Sequence, residues 1–178
     1  TNQDERVHLL AIVDQDQLRR LVDRMLDPEE FLSPFGIRSL SKFHEHHPFE
    51  FGGNAVRYEP AESDCKIKGG NSNWRGPVWF PTSFLLIESM KKFGKALGSD
   101  FKVQCGGEAG NLRTFPEVAE ELANRMIELF VPNAEKRRPI FGGTEKFQSD
   151  PHWRDNLLFH EYYHGDNGAG LGAGHQKG

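Results

Sequence analysis

The most constraining feature of the sequence is one amphipathic helix, which is predicted between Thr114 and Pro132. Thr114 and Glu117 have the spacing of a capping box, and Pro116 between them suits the first turn of a helix. Apolar residues then recur at the spacing of a single helix face, at Val118, Leu122, Met126, Leu129 and Phe130. Because such a stripe must be buried against neighbours, the segment predicts a fold in which helices pack together.

Three more segments predict helices. The first lies from Asp16 to about Asp27, and the second from about Pro81 to Leu97. The third is predicted to begin at Asp150 and to end at Gly165, with Trp153, Leu157, Leu158 and Tyr162 on one face. Between the helices, only two small β features are expected. They are a hairpin around Gly52-Gly53-Asn54 and a short strand within 101–105.

Composition and charge exclude several classes of protein. The 178 residues include 22 Lys and Arg against 26 Asp and Glu, and a net charge of −4 is too mild for a general nucleic-acid binder. No apolar run approaches the roughly 18 residues of a membrane span. Two cysteines, Cys65 and Cys105, are too few for a disulfide framework, so a reducing, cytoplasmic location is expected.

The segment from Gly69 to Pro81 has the composition of a sugar-binding loop at the entrance of a predicted helix. Indole rings pack on the apolar face of a sugar, and Asn and Arg side chains bond its hydroxyls. The candidates for these contacts are Asn73, Trp74, Arg75 and Trp79. The alternative is a tight loop whose tryptophans fill the core.

A second candidate site is the zinc-binding pattern His-Glu-x-x-His, which spans His160 to His164. On a helix, both histidines would lie on one face, with Glu161 as the catalytic base. However, Asn167 and Gly170 occupy the positions at which the metalloprotease extension needs Gly and a third His. We therefore expect no metal at these histidines, and we expect the glycine-rich residues 165–176 to form a flexible or substrate-facing loop.

Four segments, in this order along the chain, resemble glycoside hydrolase family 63. They are Ser33–Ser41, Gly70–Trp79, Asp150–Asp155 and Phe159–Asp166 with the glycine tail that follows it. That family includes the processing α-glucosidases and related bacterial glucosidases and mannosylglycerate-type hydrolases. The resemblance implies an all-α fold, part of an (α/α)6 barrel with long loops and a small β-hairpin insert.

The resemblance also implies an inverting glycosidase that needs no cofactor. In that mechanism a general acid protonates the glycosidic oxygen, and a general base activates a water on the opposite face of the sugar. By motif position, Glu161 matches the base, Trp74 and Trp79 match rings that pack near the sugar, and Asn73 takes a neighbouring position. The implied partner is a carbohydrate, an α-glucoside or a related α-mannoside.

One part of the family pattern has no match in these residues. The general acid of the family is an Asp in an upstream motif, and we find no copy of it before Ser33. Residues 1–178 are therefore predicted to be a C-terminal segment of one catalytic domain, incomplete at both ends and inactive without the remainder of the barrel. The alternatives are a zinc-dependent hydrolase built on His160 and His164, and a carbohydrate-binding module without catalysis.

Overall fold

The structure is a computed structural model that describes residues 10–62, 72–107 and 110–174. Four helices and nine short strands are interspersed along these residues, and short 3₁₀ turns lie at Lys42–Glu45, Ser72–Trp74 and Pro139–Phe141. In chain order the elements are α1 (Gln15–Met25), β1 (Leu32–Ser33), β2 (Gly36–Ile37), β3 (Phe49–Phe51), β4 (Asn54–Val56), β5 (Val78–Trp79), α2 (Phe80–Leu97), β6 (Lys102–Gln104), β7 (Leu112–Thr114), α3 (Phe115–Glu128), α4 (Glu145–Ser149), β8 (His160–Tyr163) and β9 (Gly170–Gly174).

Helices α2 and α3 pack against each other and form the centre of the core. Thr114 and Glu117 make the predicted capping box at the start of α3, where the Thr114 N–H donates to Glu117 Oε2 over 2.7 Å. The buried face of α3 comprises Phe115, Val118, Ala119, Leu122 and Met126. Gly94 of α2 brings the two helices close, because a side-chain carbon there would lie 2.6 Å from a ring atom of Pro116.

Helix α1 packs on the small sheet β6–β7 through both apolar and polar contacts. Asp14 and Gln17 form a capping box at its N-terminus, and Val22 lies in the core. Two side chains of the helix then bond the backbone of β6. Arg19 donates to the Lys102 carbonyl over 3.1 Å, and Asp23 accepts the Gln104 N–H over 2.6 Å.

The sheet that positions the candidate site has three antiparallel strands in the order β5–β8–β9. Val78 pairs with Tyr163 and Trp79 with Tyr162 across β5 and β8. Tyr162 also pairs with Leu171 of β9, and the register shifts between His160 and Tyr162. Since β5 continues directly into α2, this sheet is joined to the helical core at one edge.

The expected all-α fold is wrong for the described residues, which combine four helices with several antiparallel sheets. These residues therefore form a mixed α and β fold and not a set of paired barrel helices. Among the strands that were not predicted, β1, β2 and β5 have two residues each and β7 has three, too few for an alternating pattern to be recognised. In addition, β5 pairs with β8, which is distant from it in sequence.

The helix predicted between Asp150 and Gly165 is also wrong. Asp150 does bond the backbone as expected of a cap, accepting the His152 N–H over 2.8 Å, but it closes a turn. The apolar residues assigned to the helix face are largely exposed, since Trp153 retains 40% and Leu157 38% of its accessible surface. Tyr162 is instead buried in β8, where aromatic residues are favoured and two neighbouring strands satisfy its backbone.

The other predicted elements are confirmed. α1, α2 and α3 each begin within one or two residues of the predicted position, and the hairpin β3–β4 turns at Gly52 and Gly53. The short strand expected within 101–105 is β6. None of the helices in the described part of the chain combines the length and the apolar character that crossing a bilayer requires.

Candidate functional site

Three aromatic rings form a continuous stack at the edge of the sheet β5–β8–β9. The Trp74 and Trp79 rings lie face to face, with centroids 4.1 Å apart and planes 4° from parallel. The Tyr162 ring lies against the other side of Trp79 at 4.9 Å. Trp74 retains 44% of its accessible surface, whereas Tyr162 retains 2%, so the stack runs from solvent into the interior. An exposed, rigid indole face is the type of surface on which a pyranose ring packs.

Glu161 lies beside this stack, at the irregularity in the register of β8. The residue is only partly exposed, and its carboxylate lies above Gly172 of β9. A side-chain carbon on Gly172 would come within 3.0 Å of Glu161 Oε2 and 2.7 Å of Tyr162 Cε1. Gly172 also has a φ of +67°, which favours glycine. The glycine therefore leaves room for the carboxylate and the Tyr162 ring side by side.

The Tyr162 hydroxyl donates a hydrogen bond of 2.7 Å to Glu62 Oε1, a residue 100 positions earlier in the chain. Burial, followed by the Glu62 hydrogen bond, raises the pKa of Tyr162 to about 12, while the neighbouring Asn73 amide acts in the opposite direction. The charges of Glu62 and Glu161 both raise this pKa further. Tyr162 therefore stays protonated at neutral pH and remains a hydrogen-bond donor beside two carboxylates.

The remaining predicted sugar contacts have different surroundings. The Asn73 carbonyl accepts the Trp79 indole N–H over 3.0 Å, and its side-chain Oδ1 is buried without a hydrogen-bond partner among the described residues. Arg75 is buried, and its guanidinium lies 3.6 Å from Glu59 Oε2. The structure thus brings Asn73, Trp74, Trp79 and Glu161 to one edge of the sheet, whereas Arg75 is engaged in an internal ion pair.

A partly buried ionic network holds the turn between β8 and β9. Arg38 Nη2 donates to Asp166 Oδ1 over 3.1 Å, and its Nε donates to the Tyr58 hydroxyl over 3.1 Å. Tyr58 in turn donates to Asp166 Oδ1 over 3.0 Å. Burial raises the pKa of Tyr58 well above its usual range, although the Arg38 charge acts in the opposite direction. Ser33 adds a 2.5 Å hydrogen bond to the Gly165 carbonyl. The early segment 33–41 therefore fixes the end of the strand that contains Glu161.

The pattern His-Glu-x-x-His binds zinc when both histidines lie on one face of a helix, but here residues 160–163 form a strand. Residues four apart along an extended chain are separated by roughly 13 Å, too far for two histidines to bind one ion. His164 Nδ1 also accepts the N–H groups of Asp166 and Asn167, over 3.1 and 3.3 Å. Among the residues that the structure describes, no three His, Cys, Asp or Glu side chains are grouped as a metal ion would require.

Some sequence predictions fall outside the described residues, namely Gly69–Asn71 of the sugar-binding loop, Cys65, and His175 and Gln176 of the tail. The described part of the glycine-rich tail is not the expected loop, since residues 170–174 form β9. Glu62 and the role of Gly172 were not predicted from the sequence. The alternation of glycine at 170, 172 and 174 was the signal in the sequence for a strand with one open face.

A stack of aromatic rings that reaches solvent at Trp74, next to a partly buried carboxylate, is similar to the sugar-binding sites of glycoside hydrolases. The chain belongs to the mannosylglycerate hydrolase MGH1-like glycoside hydrolase domain family, whose model matches residues 8–177. This agrees with the resemblance to glycoside hydrolase family 63. Over 176 residues the chain is 53% identical to a protein of Saccharomyces cerevisiae named "Uncharacterized protein YMR196W". The match covers 96% of this chain and 16% of that relative.

Proposed function

We propose that this chain supplies the general base and part of the sugar-binding surface of an inverting glycosidase that acts on α-glucosides or related α-mannosides. The observation that supports it is the position of Glu161, whose carboxylate lies beside the stack Trp74–Trp79–Tyr162. The carboxylate lies at the buried Tyr162 end of the stack, and Trp74 supplies an exposed ring for sugar binding at the other end. Family membership adds the class of reaction, hydrolysis of a glycosidic bond.

In this mechanism Glu161 removes a proton from water as the water oxygen attacks the anomeric carbon. The bond from that carbon to the glycosidic oxygen breaks, and a second carboxylic acid donates a proton to the leaving oxygen. The two carboxyl groups of inverting glycosidases are roughly 6.5–9.5 Å apart, which leaves space for the water. We assign the acid to a part of a longer polypeptide outside these 178 residues, and we expect the chain alone to be inactive. The 16% coverage of the yeast relative supports this assignment.

The test is turnover by the full-length gene product that contains this chain, with mannosylglycerate, glucosylglycerate and α-linked disaccharides as probes. Glu161→Gln keeps the size of the side chain but cannot take up the proton, so turnover should fall by about 10²–10⁴-fold. Affinity for the substrate should change little. Glu128→Gln, at the end of α3, is a matched control and should retain the parental rate. Near-parental turnover by Glu161→Gln would place the base elsewhere.

The stereochemistry of the first product tests inversion separately. An α-glycoside should yield the β-anomer of the released sugar, as observed by NMR before mutarotation. An α-anomer would require a covalent intermediate and a nucleophile, and it would exclude the proposed role of Glu161 as base towards water.

A carbohydrate-binding module without catalysis is the second candidate, since the exposed Trp74 ring also suits binding alone. The two candidates differ in turnover and not in affinity. Saturable sugar binding that depends on Trp74, without hydrolysis of any probe by the full-length gene product, would favour the binding module.

A further inference from the structure

A hydrogen bond between Tyr162 and Glu62 joins two segments that are far apart in sequence, and its Tyr162 end lies next to Glu161. The hydroxyl-to-carboxylate distance is 2.7 Å, and Tyr162 is 2% exposed. A short bond from a buried phenol to a carboxylate fixes the outer end of the ring, because charge-assisted hydrogen bonds are the stronger ones.

The backbone that presents Glu62 is itself fixed on both sides of the site. The Glu59 N–H donates to the Arg75 carbonyl over 2.7 Å, which ties this segment to the loop before β5. The Gly165 N–H donates to the Pro60 carbonyl over 2.8 Å, which ties it to the turn after β8. Glu62 therefore follows a stretch of chain that bridges two of the elements that build the site.

The Tyr162 ring is held at three places, and this limits its movement. Its backbone pairs with Trp79 and Leu171 in the neighbouring strands, its face stacks on the Trp79 ring, and its hydroxyl bonds Glu62. Without Glu62 the first two restraints would remain, but the hydroxyl would lose its carboxylate acceptor and keep only the neighbouring Asn73 amide.

The Glu161 carboxylate shares its space with this ring. The position of a side-chain carbon on Gly172 lies 3.2 Å from Tyr162 Cζ and 3.0 Å from Glu161 Oε2, so the ring and the carboxylate are neighbours above the same glycine. A shift of the ring therefore changes the space into which the carboxylate can turn. Because Tyr162 stays protonated at neutral pH, its hydroxyl remains a donor to Glu62.

We propose that Glu62 is a positioning residue of the site, which accepts the Tyr162 hydroxyl and thereby fixes the ring against which the Glu161 carboxylate lies. Glu62 acts through Tyr162 and not on the sugar. This inference rests on the proposed role of Glu161 as the base. As a consequence, the orientation of the Glu161 carboxylate towards the attacking water depends on Glu62, which contacts Tyr162 and not the sugar.

The test is a double-mutant cycle in the full-length gene product, read as kcat and KM with the probe that the enzyme turns over. Tyr162→Phe and Glu62→Ala should each lower kcat by about 10-fold, since loss of one bond that orients a catalytic group has this order of effect. KM should change less than about twofold, because neither change removes the exposed Trp74 face. The double variant should be no slower than either single variant, since both remove the same bond.

Two further variants separate positioning from a general loss of structure. Glu62→Gln keeps an oxygen that accepts the hydroxyl, so it should restore most of the rate that Glu62→Ala loses. Glu50→Ala removes an exposed glutamate of β3 that contacts neither residue, and it should retain the parental kcat. Thermal melting of each variant identifies any that is unfolded at the assay temperature, and kcat is then compared for all variants at a lower temperature at which each of them is folded.

The outcomes distinguish this inference from the proposed function. Additive losses, or a kcat for Glu62→Ala equal to that of Glu50→Ala, would overturn the positioning role while Glu161→Gln remains inactive. Full turnover by Glu161→Gln, or no turnover of any glycoside by the parental protein, would reject the proposed function and this inference with it.

Discussion

The helix pair α2–α3 and the sheet β5–β8–β9 are stabilised by different interactions. The helix pair buries aliphatic and aromatic side chains that need only apolar neighbours, such as Ile87 and Leu122. The sheet contains only short strands, and its loops are held by polar side chains such as Arg38, Asp166 and Glu62. We infer that stability is concentrated in the helices and that the geometry of the site is concentrated in the sheet. Substitutions in the two regions should therefore separate loss of folding from loss of turnover.

The largest effect on stability is expected from Leu122→Ala in α3. Leu122 is 1% exposed, and its truncation removes apolar contacts and leaves a cavity, at a cost of about 2–5 kcal/mol in the free energy of unfolding. The measurement is chemical denaturation of the folded protein. The same change at Ile127, on the exposed side of this helix with 54% of its surface accessible, should cost much less. Equal losses at both positions would contradict the idea that the helix pair is the stable region.

A larger effect on turnover than on stability is expected from Gly172→Ala in β9. The new methyl would lie 2.7 Å from the Tyr162 ring, in a backbone conformation with φ of +67° that costs other residues roughly 1–2 kcal/mol. The ring and the Glu161 carboxylate must move apart, so turnover should fall by about 10- to 100-fold.

Gly174→Ala is the matched control in the same strand. A side-chain carbon at that position would meet only Leu158, at an ordinary 3.5 Å, and its φ is not positive. The control should keep both the melting temperature and the rate. If Gly172→Ala also kept the parental rate, turnover would not depend on the space above Gly172 that the Glu161 carboxylate and the Tyr162 ring share.

The same difference between the regions explains which elements could be predicted from the sequence. The capping box at Thr114 and the stripe on α3 are local signals, and the structure contains both. The strand β8 had no such signal, because it is defined by pairing with Trp79 on one side and with glycines of β9 on the other. The pattern His-Glu-x-x-His, interpreted locally, predicted a helix in its place.

The candidate site was only partly accessible to sequence analysis for the same reason. Trp74, Trp79 and Glu161 could be proposed by resemblance, since they lie in short motifs. Glu62 could not, because its role depends on a hydrogen bond to a residue 100 positions later. A contact of this kind leaves no periodicity or spacing in the sequence.

A smaller effect is expected from Trp74→Ala, which removes the exposed ring of the stack. Affinity for the sugar should weaken by roughly 1 kcal/mol beyond the loss of buried area, as is typical of an aromatic platform. Affinity is best measured by calorimetry, with the melting temperature determined alongside it. Trp153→Ala removes an indole of similar exposure outside the stack and should leave affinity unchanged. Weaker binding in both variants would indicate a general loss of structure.

The smallest effect concerns His164, which lies in the sheet region at the end of β8. Burial lowers the pKa of His164, and the Asp166 charge only partly opposes this. A histidine with a lowered pKa in the folded state binds a proton more readily when unfolded, so stability should fall as pH drops below the unfolded value of about 6.5. His164→Asn keeps an acceptor for the N–H groups of Asp166 and Asn167 but does not titrate. The melting temperature of this variant should therefore decrease less between about pH 7.5 and about pH 5.5 than that of the parental protein. An equal decrease in the parental protein and in His164→Asn would show that the acid sensitivity of the fold arises elsewhere.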